Sequence, residues 1–150
     1  MIPETLAHYR VLRLLGRGGM GEVYLAKDSR LDRTVALKVL AGHVAADPER
    51  RQRFDREAKA IAALNHPSIV TIHSVEEDQG VAFLTMELVE GSTLGELIRP
   101  GGMALGTLLK LAIPLADAMG AAHQRGITHR DLKPANVMVG GLRGEICENR

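Results

Sequence analysis

Two groups of residues in the first sixty positions are of types that handle anions, and a carboxylate stands where it can meet one of them. Gly16-Arg-Gly18-Gly-Met-Gly21-Glu-Val23 spaces its glycines as G-x-G-x-x-G. Glycine lets a backbone approach a phosphate closely and aim unpaired N–H groups at it. The pattern alone is weak, and a glycine-rich hairpin with no ligand is the competing reading. Lys38 follows in Val35-Ala36-Leu37-Lys38. Strand alternation puts Lys38 and Ala36 on one face, with Val35, Leu37 and Val39 on the other. An inward lysine is costly unless it meets an anion, and phosphate oxygens or a carboxylate would both serve. A solvated lysine on an edge strand is the commoner outcome. Glu57 lies at the border of a helical apolar stripe, where a carboxylate needs a cation, and Lys38 is the natural one. Arg50, Arg51, Arg53 and Arg56 fall mainly on the other side and read as a solvated face.

The elements that must position these groups are strands first. Tyr9–Leu15 is apolar-rich, the glycine cluster interrupts it, and Glu22–Ala26 resumes with half-buried alternation. Because a strand follows the glycines, the loop sits between strands, unlike a dinucleotide fold, where a helix follows. Asp28-Ser-Arg-Leu-Asp32 is turn chemistry, and Thr34–Leu40 is a third strand. Asp47-Pro48-Glu49 predicts a helix start: capping side chain, proline in the first turn, carboxylate at the positive end. Its inner stripe is Phe54, Ala58, Ile61 and Leu64, and Asn65-His66-Pro67 ends it. Ile69–Val75 and Val81–Val89 read as two more strands around a Glu76–Gly80 turn. Helices follow at Ser92–Ile98 and from about Thr107 to Arg125, the second carrying Pro114 and closed by Gly126. His66, His73 and His123 have no metal-ligand spacing.

His129-Arg130-Asp131-Leu132-Lys133-Pro134-Ala135-Asn136 matches H-R-D-L-x-x-x-N at every fixed position. With the glycine loop and the Val-Ala-Leu-Lys strand in the same order, the chain resembles the protein-kinase catalytic domain, in its bacterial serine/threonine branch. The similarity runs from about Tyr9 to Val139. The resemblance implies an α+β fold: a small lobe of five antiparallel strands and one helix over residues 1–90, then the first part of a helical lobe over residues 91–150.

It also implies roles. Gly16, Gly18 and Gly21 cover the ATP phosphates, and Lys38, paired with Glu57, holds the α- and β-phosphates. Leu15, Val23 and Ala36 line the adenine pocket, with Met86 deep in it. Backbone groups of Glu87 and Val89 meet the adenine edge. Asp131 accepts the substrate hydroxyl proton, Lys133 steadies the γ-phosphate, and Asn136 binds magnesium. His129 shapes the loop. The implied cofactors are ATP and magnesium, and the implied partner is a protein substrate. The chain departs from the family after Val139. Gly140-Gly-Leu-Arg-Gly-Glu-Ile-Cys-Glu-Asn-Arg150 contains neither Asp-Phe-Gly nor the activation segment, so the reading is of a kinase cut short and inactive by itself. A non-catalytic nucleotide-binding or interaction module, or a degenerate fragment, is the alternative.

Bulk properties bound the rest. Forty-five per cent hydrophobic and 25% charged residues is a globular mix. A net charge of +1 is poor support for a nucleic-acid partner. A single cysteine, Cys147, excludes an internal disulfide and fits a reducing, cytoplasmic setting. The stretch Leu108–Ala122 is interrupted by Lys110, Pro114 and Asp117, too short and polar to span a bilayer. Met1-Ile-Pro-Glu has no secretory character. The expectation is therefore a chain with no membrane segment. The helix over 107–125 is apolar nearly all round and is expected to leave a flank open to self-association.

Overall fold

The computed structural model describes residues 2–18, 21–42, 46–140 and 146–148, the last three by backbone alone. The chain divides into two compact units, Met1–Ala62 with Ile72–Leu88, and Ala63–Thr71 with Val89–Arg150.

The first unit is a six-stranded sheet in the order β1-β2-β3-β4-β6-β5. Its strands are β1 (Thr5–Leu6), β2 (Tyr9–Gly18), β3 (Gly21–Asp28), β4 (Arg33–Leu40), β5 (Ile72–Asp78) and β6 (Val81–Met86). All neighbours are antiparallel. Five strands are expected from sequence; the sixth, β1, is two residues folded back on β2, too short for any periodicity to register. The glycine cluster does not interrupt its strand, since β2 runs through Gly16 to Gly18 and pairs there with Gly21. β5 starts at Ile72 rather than Ile69, and the turn after it shrinks to Gln79-Gly80, both at positive φ (51° and 75°).

The core sits on one face, where Leu6, Tyr9, Ala26, Val35, Leu37, Val39 and Phe83 are buried together. Val35, Leu37 and Val39 do share a face, as alternation requires. Thr85, also fully buried, is satisfied by Ser74 (Oγ–Oγ1 2.7 Å), and Ser74 is shared with the Tyr9 hydroxyl at 3.2 Å. The β3–β4 turn is built on Asp28. Its Oδ1 accepts the N–H groups of Arg30 (3.0 Å) and Leu31 (3.1 Å), and Arg33 Nε approaches Oδ2 at 3.4 Å.

Helix α1 (Pro48–Ala62) is capped as expected: Asp47 Oδ1 accepts from the N–H groups of Glu49 (3.0 Å) and Arg50 (3.2 Å). It ends at Ala62, so Leu64 is not part of its stripe, and Ala58 is its one buried residue.

In the second unit, β7 (Gly91–Thr93), β8 (Val137–Gly140) and β9 (Ile146–Glu148) form a small antiparallel sheet. Thr93 caps the short helix α2 (Leu94–Leu97), and Thr93 and Glu96 form a reciprocal capping box. Helix α3 (Leu105–Gln124) starts two residues before the expected Thr107 and contains Pro114. Gly126 N–H to His123 O (2.9 Å) and Ile127 N–H to Ala122 O (3.0 Å) close it. Leu111 and Val137 are buried together, with Leu94, Met103, Leu115 and Val139 half-buried against them. At 20 residues and a mean hydropathy of 1.3 in its most apolar window, α3 is long and apolar enough to cross a bilayer by length and composition alone, a measure that the core helix of a soluble domain also meets.

Candidate active site

Register across the first unit assigns its two faces. Gly16 pairs with Val23, Val23 with Lys38, and Lys38 with Leu84. One pleat along, Leu25 pairs with Ala36, and Ala36 with Met86. Directly paired residues project to the same side of an antiparallel sheet, and so do residues two apart. Val23, Lys38, Ala36 and Met86 therefore share one face, opposite the Val39, Leu37 and Phe83 core. Ala36 and Met86 are buried, while Val23 and Lys38 are half-buried. Around Val23, Ala36 and Met86 this face is an apolar floor beside the Lys38 ammonium group, with Lys27 farther along it on Asp32. Leu15 lies in the register shift between Leu14 and Gly16 and is exposed. A bulge of this kind re-aims the side chain it frees.

The three motif glycines differ in what requires them. At Gly21, φ is +152° and an added Cβ would stand 1.9 Å from the Val39 carbonyl oxygen, so the fold itself demands glycine. At Gly16 nothing lies within 4 Å of such a Cβ, and at Gly18 only the Gly21 oxygen at 4.0 Å does. Their open backbone is space that a bound anion can enter.

Glu57 is half-buried on α1, and its Oε1 accepts from Arg53 Nε at 3.0 Å. The arginines of α1 are less idle than a solvated face implies. Arg50 pairs with Asp47 at 3.2 Å, and Arg51 reaches Glu77 on β5 at 2.6 Å. Glu87 is exposed just beyond β6, and Val89 is half-buried in the second unit.

In the second unit, His129 to Asn136 form a self-bonded loop. His129 is buried, and its Nδ1 accepts the Asp131 N–H at 3.1 Å, the loop-shaping part expected of it. Arg130 takes a left-handed φ of 65°, which swings the chain so that Asp131 is exposed. Lys133 Nζ donates to both Asp131 oxygens, at 2.8 and 3.1 Å. Asn136 Nδ2 donates to the Asp131 backbone oxygen at 2.8 Å and to Oδ2 at 3.1 Å. The 3-10 turn Pro134–Asn136 closes with Asn136 N–H on Lys133 O at 2.9 Å, and Val137 then plugs into the core beside Leu111. Lys133, then Asn136, hold the Asp131 carboxyl below the usual carboxylate range. At neutral pH Asp131 is thus an ionised, solvent-facing acceptor backed by a cation and an amide. Such a group can take a hydrogen bond, and then a proton, from a hydroxyl.

Asn136 spends its amide nitrogen on Asp131, which leaves its oxygen for a cation. Among the described residues no group of three His, Cys, Asp or Glu side chains could hold a metal ion. Magnesium requires near-octahedral oxygen ligation, usually anchored by carboxylates. Most of its ligands are then waters and substrate phosphates, to which Asn136 Oδ1 can add one protein oxygen.

Sequence reasoning missed several contacts. Arg17 Nε pairs with Glu22 Oε1 at 2.8 Å, and the Tyr24 hydroxyl donates to Glu22 Oε2 at 2.5 Å. His66 Nε2 meets Asp117 Oδ2 at 2.9 Å, while its Nδ1 accepts the Ser68 N–H at 3.0 Å. The Thr93-x-x-Glu96 capping pattern was the one signal readable beforehand.

Residues 9–146 match the protein kinase domain. The chain belongs to the protein kinase domain family. Among curated relatives, the kinase chain is 45% identical over 139 residues to serine/threonine-protein kinase PknF of Mycobacterium tuberculosis, covering 91% of this chain and 29% of that protein. It is 44% identical over 149 residues to serine/threonine-protein kinase pkn2 of Myxococcus xanthus, covering 97% of this chain and 18% of that protein. Among solved structures, the kinase domain of Mycobacterium tuberculosis PknI superposes with a TM-score of 0.85 at 38% identity, covering 97% of this chain and 58% of that one. The chain thus spans less than a third of the curated relatives' length and about three fifths of the solved domain. The α+β kinase fold expected from the motifs is the fold found.

Proposed function

We propose that this chain carries the nucleotide-handling and hydroxyl-activating parts of a serine/threonine protein kinase, which transfers the γ-phosphoryl group of ATP to a protein hydroxyl. The observation that carries the reading is the Asp131–Lys133–Asn136 cluster, an ionised carboxylate held by a cation at 2.8 Å and an amide at 3.1 Å. In this reading a serine or threonine hydroxyl gives its proton to Asp131. Its oxygen bonds to the γ-phosphorus as the bond to the β–γ bridging oxygen breaks, leaving ADP. Lys133, paired with Asp131, shares its charge with the transferring group. Lys38, oriented by Glu57, holds the α- and β-phosphates, while N–H groups of Gly16, Gly18 and Gly21 cover them. Leu15, Val23, Ala36 and Met86 contact adenine, and the backbones of Glu87 and Val89 meet its edge. Asn136 offers one oxygen to a divalent cation. An ATP-consuming reading places the chain in the cytoplasm.

A non-catalytic nucleotide-binding module is the second reading, favoured by one observation. Among the described residues no group of three His, Cys, Asp or Glu side chains could hold a metal ion. Calorimetric titration with an ATP analogue tests the shared part: binding to the wild type, and weaker binding to Lys38→Met, is expected. Equal heats for both remove Lys38 from the site. Radiolabel transfer separates the readings. These 150 residues alone are expected to transfer no label, and transfer abolished by Asp131→Asn would make them competent by themselves.

A further inference from the structure

The glycine-bearing end of β2 and β3 has little apolar packing to hold it. Every residue from Leu12 to Gly18 is exposed, and β2 carries two register shifts before Gly16. Glycines also weaken a strand through their conformational freedom. What fixes this end is polar. Arg17 lies directly opposite Glu22, and Glu22 opposite Val39, so all three project on the core face, away from Val23 and Lys38. There Arg17 Nε and Glu22 Oε1 are 2.8 Å apart. Glu22 Oε2 takes the Tyr24 hydroxyl at 2.5 Å, and the Tyr24 ring packs on the buried cluster of Leu37, Val39 and Phe83. A cavity of about 410 Å³, lined in part by Ile2, Arg17, Glu22 and Val39, opens beside the pair.

We infer that Arg17, Glu22 and Tyr24 form a latch on the far side of the glycine hairpin that sets where the backbones of Gly16 and Gly18 lie against the phosphates. They are positioning residues: none lies on the Lys38 face, and each acts through the strand it holds. The inference rests on the nucleotide reading above for its consequence, though the latch itself does not.

Titration with an ATP analogue and, separately, with adenosine provides the test. Arg17→Ala and Glu22→Gln are each expected to weaken the ATP analogue about two- to fivefold, the scale of one cross-strand charge pair, and to leave adenosine unchanged. The reversed pair, Arg17→Glu with Glu22→Arg, is expected to restore wild-type affinity. A mere change in overall charge has a different signature, since Arg17→Ala would weaken the anion and Glu22→Gln would strengthen it. Opposite signs for the two variants, no change in either, or equal losses for ATP analogue and adenosine overturn the inference. If the wild type binds neither ligand, the nucleotide reading has failed, and amide exchange still decides the latch. Faster exchange across residues 16–23 in Glu22→Gln supports it, and unchanged exchange overturns it.

Discussion

The two units bury their apolar residues with unequal success, although both are rich in them. In the first, seven side chains from β1 to β4 and β6 close on one another, with Ile2, Tyr24 and Val81 packed against them. In the second, Leu111 and Val137 are buried while Leu105 is 68% and Ile113 65% exposed. The difference is geometric. A sheet with strands on both sides of β4 gathers side chains from many strands onto one face. A lone helix buries only the stripe that meets a neighbour, here Leu111, Ala118 and Ala122. Apolar character tells which residues seek cover, and topology decides which find it.

The largest effect is expected where that closure is most complete. Phe83→Ala removes a fully buried ring that meets Tyr9 edge-on at 6.0 Å, and it is expected to cost about 3–5 kcal/mol in denaturant unfolding. Ile113→Ala on α3 is expected to stay within about 0.5 kcal/mol, as exposed substitutions do. Comparable losses for the two would show that the second unit depends on α3's outer side as much as the sheet depends on its core.

Next comes the turn that braces the sheet. Asp28 is 1% exposed. Burial pushes its carboxyl up, but the N–H groups of Leu31 and Arg30, with His8 and Arg33, outweigh that and leave it lowered from the ordinary 3.8. A lowered carboxyl contributes stability that is complete above 3.8 and is lost as pH falls through its value in the folded protein. Asp28→Ala orphans two turn N–H groups and is expected to cost about 2–3 kcal/mol at neutral pH. Asp28→Asn is expected to flatten part of the acid-unfolding curve below pH about 4. Wild-type acid sensitivity in Asp28→Asn would assign that sensitivity to other carboxylates.

A third comparison lies within one motif. Gly21→Ala is expected to destabilise by about 1–3 kcal/mol, since a Cβ at φ +152° meets a backbone oxygen that cannot move aside. Gly16→Ala, with open space around it, is expected to melt like the wild type and to lose affinity for the ATP analogue. Equal melting losses would mean that both glycines are structural and neither is kept for a ligand.

These contrasts also mark how far the sequence was legible. The apolar alternation of Val35, Leu37 and Val39, and the Asp47-Pro48-Glu49 start, specified β4 and α1 because local chemistry decides both. The short β1 was invisible because two residues carry no period; it is held by Ala7 N–H on Asp78 Oδ2 at 2.7 Å, a contact across the whole first unit. The motif located the His129–Asn136 loop, where the bonds joining Asp131 to Lys133 and Asn136 are local in sequence. The Arg17–Glu22–Tyr24 latch stayed hidden because its register depends on the two shifts in β2, which no pattern announces. The helix position of Glu57 does not announce that its Oε1 also accepts from Arg53 one turn earlier.

The smallest effect on stability, and the most direct probe of the second unit, concerns the open side of α3. Leu105, Leu108, Leu109 and Ile113 are all exposed along it. Their combined apolar surface is of the order of a few hundred Å², the scale at which a patch draws partners. We expect these 150 residues to self-associate at micromolar concentration and to bind an apolar dye. Leu109→Gln with Ile113→Gln is expected to shift sedimentation toward monomer while leaving the unfolding midpoint within about 0.5 kcal/mol of wild type, because neither side chain is in a core. Reduced association with unchanged stability separates a sticking surface from a packing role. A sharp wild-type monomer with no dye binding would sink the proposal, and it would mean that exposure on this helix has no consequence in solution.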